Sequence, residues 1–113
     1  MGKLALLKSE QDFEGFRNSK SYQSTNLKIR VRSSSPDQNT PRFGFIIPKK
    51  LVPKAVHRNL IKRRIKNALL KSASNLQAVD VLFFPRPQLL QKKFADLEQE
   101  IKLIFIKARL WKP

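Results

Sequence analysis

Between Asp37 and Asp80 the chain carries ten lysines and arginines and not one acidic residue. They are Arg42, Lys49, Lys50, Lys54, Arg58, Lys62, Arg63, Arg64, Lys66 and Lys71. The chemistry open to such a set is anion binding, above all of nucleic-acid phosphates, whose condensed counterions are released when Lys or Arg takes their place. At about 100° per residue, Ile61, Ile65, Ala68 and Leu69 fall on one stripe that must pack inward. Asn59, Lys62, Arg63 and Lys66 stand at i, i+3, i+4 and i+7 and gather on the other side, with Arg58 one turn before Lys62. An ordinary solvated helix face mixes both signs, because like charges four residues apart destabilise a helix. Lys62 and Lys66 are such a pair, and no neighbouring Glu relieves them. The segment therefore reads as a core-anchored helix that turns a cationic, hydrogen-bonding face toward nucleic acid.

Other chemistry is poorly served. The chain has no cysteine, so it has no disulfide, thiolate metal site or Cys nucleophile. Its one histidine, His57, sits inside the basic segment and reads as a surface or RNA-facing group. The carboxylates are dispersed as Glu10, Asp12, Glu14, Asp37, Asp80, Asp96, Glu98 and Glu100, whereas hydrolysis by a protein-held metal needs clustered ligands. Asp96 and Glu100 share a helix face and are expected to be solvated.

The elements that must hold the basic helix are legible from patterning. With 113 residues and 41% hydrophobic composition, the chain makes one domain, residues 1–113, with a true core. A net charge of +16 costs self-repulsion that a polyanion would relieve. Nucleic acid leads, and an anionic membrane surface is the other partner that charge admits. Ser9 with Asp12 marks a helix start, which places Phe13 and Phe16 on neighbouring positions. Leu27-Lys28-Ile29-Arg30-Val31-Arg32 alternates apolar and basic residues, as a strand with one buried face does. Residues 33–41 are turn-rich and read as a hairpin loop leading to a second strand over 42–47. Pro53 opens the basic helix, which runs over 54–73, about 30 Å. Residues 79–84 form a short apolar run with the single Asp80 and read as a buried central strand. Phe94, Leu97, Ile101, Ile104 and Ala108 give an amphipathic last helix. The order is α-β-β-α-β-α, with room for a further short strand near Tyr22. Leu4-Ala5-Leu6-Leu7 is too short for a signal core, no apolar run approaches the ~20 residues of a membrane span, and a cytoplasmic protein is expected.

The basic helix also carries a resemblance. Lys49-Lys50 followed by Lys54-Ala55-Val56-His57-Arg58-Asn59-Leu60-Ile61-Lys62-Arg63 resembles the signature of the ribonuclease P protein family, a paired lysine before an A-V-x-R-N-R-x-K-R type helix. The likeness extends more loosely over nearly the whole chain, through Asp12-Phe13, Phe43-Gly44 and Arg86. Two positions depart from the pattern. Leu60 stands where the family's trio has its second Arg, and Arg17 where some members carry an aromatic.

The resemblance implies an α+β sandwich like a ribosomal-protein domain, with a left-handed βαβ crossover through the basic helix. It implies an accessory subunit of an endoribonuclease that removes the 5′ leader of precursor tRNA. Catalysis would be by the RNA subunit with magnesium, held mainly by that RNA and the substrate, without protein catalytic residues or a protein-only metal site. Arg58, Asn59, Lys62, Arg63 and Lys66 would meet the catalytic RNA. Phe13, Phe16, Arg17, Lys49, Lys50 and Arg86 would line the leader's path, aromatics stacking and cations on the rim. Neither a membrane nor a small-molecule substrate is expected. A ribosomal protein fits size and charge equally well, and a helix-turn-helix regulator or a stand-alone nuclease fits less well.

Overall fold

The computed structural model describes residues 5–7, 16, 19–33 and 39–112. The helix expected from Ser9, with Phe13 and Arg17, lies outside them. Five strands form one sheet: β1 (Ala5–Leu6), β2 (Lys20–Gln23), β3 (Leu27–Ser33), β4 (Arg42–Phe45) and β5 (Val79–Pro85), in the order β1-β4-β5-β3-β2. Two α-helices, α1 (Ala55–Ser72) and α2 (Phe94–Lys107), are described beside it, with 3-10 turns at Ala73–Asn75 and Pro87–Gln91. β2 is the short strand foreseen near Tyr22, and β1 was not foreseen. Among the described residues no helix is long and apolar enough to cross a membrane.

The strand order corrects the hairpin reading of residues 33–41. β3 and β4 are not partners, because β5 lies between them, antiparallel to β3 and parallel to β4. The reason lies in β5 itself. Val81 and Phe83 are buried on one face and Leu82 on the other, so this strand needs cover on both sides, and only the centre of the sheet gives it. Asp80 supplies the register. It sits directly opposite Arg32 on β3 and Arg42 on β4, and both guanidiniums donate to its buried carboxylate at 2.8–2.9 Å. A slip of either neighbour by one residue would send its arginine to the other face and leave a buried charge unpaired.

Odd-numbered residues of β3, β4 and β5 face the helices. Leu27, Ile29, Phe43, Val81 and Phe83 meet Ile61, Ile65, Ala68 and Leu69 of α1 and Leu97, Ile101, Ile104 and Phe105 of α2 in one core. The α1 stripe is the one its periodicity foretold. Phe83 lies 5.5 Å from Phe45 and 6.1 Å from both Phe43 and Phe105, ring centre to ring centre, an aromatic seam between sheet and α2. Phe94 begins α2 but stays exposed.

Glu100 departs from expectation. Asp96 is solvated as foreseen, but Glu100 is buried. It accepts hydrogen bonds from the Ser24 hydroxyl, from the Asn26 backbone N–H at 2.8 Å and side-chain amide at 3.0 Å, and from Lys92 Nζ at 3.0 Å. Burial alone would raise its pKa, but these donors outweigh it and hold the carboxyl at about 2, against an ordinary 4.5. The acid is a staple between α2 and the β2–β3 turn.

Candidate nucleic-acid interface

The N-terminal end of α1 is built to hold cations outward. The turn before it is closed by the N–H groups of Leu51 and Val52 donating to the Pro48 carbonyl, and Val52 anchors it in the core. Arg58 Nη1 then donates to the carbonyls of Val52 at 2.9 Å and Pro53 at 2.8 Å. That clasp leaves Lys49 and Lys50 exposed on a fixed turn. The helix has no acid in its first turn and no side-chain cap at Lys54, so nothing offsets the positive end of its dipole.

Along α1, Asn59 and Arg63 are exposed, and Lys62 and Lys66 lie half-buried with their stems along the protein. Asn59, Arg63 and Lys66 stand away from the buried stripe, and Lys62 borders it, seven residues before Leu69. Among the described residues no hydrogen-bond or ion-pair partner is recorded for Lys62, Arg63 or Lys66. Two arginines of the helix do structural work instead. Arg58 holds the preceding turn, and Arg64 donates to the carbonyls of Leu89 at 3.0 Å, Leu90 at 2.9 Å and Lys92. Arg58 is thus a pin for that turn as well as a half-buried cation. His57 is exposed, as foreseen.

The second surface is the sheet face away from the helices. Cross-strand register sets Lys28 opposite Phe84 and Arg30 opposite Leu82, so these side chains share that face. Phe84 is half-buried with Lys28 Nζ 5.3 Å from its ring centre. Leu7, Phe16 and Leu82 form a small buried cluster there, with Ile46 and Phe84 packed against it. Phe16 corrects an expectation. It is only 2% exposed and the Arg32 guanidinium lies 4.6 Å from its ring centre, so it packs as core and offers no open face to a base. Phe13 and Arg17 fall outside the described residues. Lys49, Lys50 and Arg86 are exposed where β4 and β5 end side by side, and the Arg86 N–H donates to the Asn26 carbonyl at 3.0 Å.

Lys28, Arg30 and Phe84 were missed as candidates from sequence. Their signal was present in the unbroken basic alternation of β3. Reading it required knowing that β5 pairs with β3 and places an aromatic among those cations. Among the described residues no group of three or more His, Asp or Glu is gathered as a metal centre would need.

Comparisons with known proteins bear on this geometry. Residues 1–109 match the model of the family described as Ribonuclease P. The Ribonuclease P protein component of Streptococcus gordonii is 31% identical over 111 residues, spanning 98% of this chain and 92% of its own. That of Microcystis aeruginosa is 32% identical over 111 residues, spanning 92% and 90%. The fold is shared with the RNase P protein of Staphylococcus aureus, with TM-score 0.82 at 21% identity over 97% of this chain and 100% of that one. The RNase P protein of Thermotoga maritima gives 0.75 at 20% identity over 87% and 93%. A sheet-anchored helix with outward cations, a basic second face and a match along nearly the full length agree: the chain belongs to the ribonuclease P protein family.

Proposed function

We propose that the chain is the RNA-binding subunit of a ribonuclease P holoenzyme, helping the catalytic RNA remove the 5′ leader of precursor tRNA. The observation that carries this reading is α1. Its Ile61, Ile65, Ala68 and Leu69 lock it to the sheet while Asn59, Lys62, Arg63 and Lys66 face outward with no acid among them. In this reading those side chains, with Arg58, bridge phosphates of the RNA subunit and set its register without reading sequence. Neutralising about six phosphates would give a log K against log salt slope of roughly −4 to −5.

The leader, in the same reading, runs across the sheet face. Lys28, Arg30, Lys49, Lys50 and Arg86 hold its backbone, and Phe84 offers a stacking edge, with Phe13 and Arg17 as further candidates. Magnesium held mainly by the RNA subunit and substrate would supply the metal chemistry of phosphodiester cleavage. The protein's own residues bind, orient and lower phosphate repulsion. The chain then has no catalytic side chain of its own and works in the cytoplasm, where its RNA partner is made.

Reconstitution tests the reading. The full chain mixed with a bacterial ribonuclease P RNA should restore accurate cleavage of precursor tRNA at a magnesium concentration where the RNA alone is inactive. Cleavage by the protein without RNA, or no gain over RNA alone, would refute it. Precursor should bind the holoenzyme more tightly than mature tRNA, and Phe84→Ala should narrow that difference.

A further inference from the structure

The outermost line of α1 is mostly uncharged, with Arg63 its single cation. Val56, Leu60, Arg63, Asn67 and Leu70 follow i, i+4, i+7, i+11 and i+14 and lie within about 40° of one line opposite the buried stripe. Val56 is 66% exposed, and Leu60 and Leu70 are each 40% exposed. Arg63 and Asn67 are exposed beside them. Lys62 and Lys66 flank this line on one side. On the other flank Arg64 is clasped by the carbonyls of Leu89, Leu90 and Lys92, and Lys71 reaches Glu98 at 3.4 Å. The helix thus presents a crest of aliphatic and amide side chains around Arg63, with further open cations along one side only.

A second copy of the chain cannot match that crest, since each copy carries a net charge of +16 and α1 has no acid to answer another's lysines. Double-helical RNA matches it on both counts. Its wide, shallow groove displays ribose rings and 2′-hydroxyls, with a phosphate strand along each border. Aliphatic side chains pack on ribose C–H faces. The amides of Asn59 and Asn67 both donate and accept, as a 2′-hydroxyl does. We propose that Val56, Leu60, Asn67 and Leu70 seat in the shallow groove of a duplex segment of the RNA partner, with Lys62 and Lys66 on the phosphates of one bordering strand. The assignment rests on the ribonuclease P reading and adds to it a groove contact that charge alone would not supply. It also gives Leu60 a role: the cation lost from the family's pattern is replaced by an apolar contact.

The test is equilibrium binding of the full chain to a transcribed bacterial ribonuclease P RNA across a salt series, with hydroxyl-radical probing of ribose accessibility. The variant V56A/L60A should bind on the order of 10-fold more weakly with an unchanged salt slope. It should also lose protection of a discrete run of riboses. Leu60→Met should retain both affinity and protection. Both side chains are exposed, so melting temperature should not move. The companion K62A/K66A should flatten the slope by about 1.4 to 1.8. Binding of V56A/L60A within about twofold of the parent, or a loss with every ribose still protected, overturns the groove contact while K62A/K66A keeps the docking face in place. If K62A/K66A also binds as the parent does, the RNA-docking reading falls with it.

Discussion

α1 and α2 pack side by side on the same sheet face, yet their charged residues serve opposite ends. α1 carries Arg58, Lys62, Arg63, Arg64, Lys66 and Lys71 without an acid, and three of these have no recorded partner among the described residues. α2 carries Asp96, Glu98 and Glu100 against Lys102 and Lys107, and two of its acids turn back into the protein. Glu98 reaches Lys71 across the helix pair, and Glu100 ties the β2–β3 turn. One helix is stabilised by its polar residues, and the other is held by its apolar stripe so that its polar residues stay available. Charge by itself does not mark a binding face in this fold. Charge without an internal partner is what sets the proposed docking face of α1 apart.

The largest effect expected from breaking this contrast is on stability, at Glu100. Glu100→Ala strands the buried Asn26 N–H and leaves Lys92 without its carboxylate, and should cost about 3 kcal/mol in chemical denaturation. RNA affinity per folded molecule should be unchanged. The same group predicts an acid limb. Its folded pKa of about 2 lies below the ordinary 4.5, so its contribution is complete above about pH 4.5 and fades as pH falls toward 2. Glu100→Gln should remove that limb from the pH–stability curve.

Next in size is charge reversal on each helix. K62E/K66E should weaken binding to ribonuclease P RNA by on the order of 100-fold and leave the melting temperature in place. K102E/K107E changes net charge equally but should cost about tenfold less, because α2 lies outside the docking face. The smallest effect concerns how the helices end. α2 stops at Arg109 with φ 61°, and the Leu110 N–H closes on the Phe105 carbonyl at 2.9 Å, while α1 runs into a 3-10 turn. Arg109→Gly should therefore raise stability by about 0.5–1 kcal/mol, and Gly at Ala73 should not.

What could be read in advance follows from the range of each interaction. The α1 stripe, the burial of β5 and the last helix depend on local periodicity, and each stands where patterning placed it. Strand order depends on who pairs with whom. The turn residues of 33–41 suggested a local hairpin, but the demand of β5 for two covered faces and the grip of Asp80 on Arg32 and Arg42 outweighed them. Glu100 was misread because acids four apart on a helix look alike whether water or Asn26, over seventy residues away in sequence, supplies the hydrogen bonds. Phe16 was placed at the leader site by the family resemblance, and its contacts with Leu7 and Leu82 put it in the core. Lys28 and Phe84 became neighbours only through the β3–β5 register.

The contrast between the two helices can be measured directly because the chain has no native cysteine. A single cysteine introduced as Ala55→Cys on α1 or Gln99→Cys on α2, each at an exposed position, would carry an iron chelate that cleaves nearby RNA in the assembled holoenzyme. The α1 probe should cut the ribonuclease P RNA at a few discrete positions, and the α2 probe should leave those positions intact. Equal cutting from both helices, or cutting from α2 alone, would contradict the assignment of α1 as the RNA-docking element.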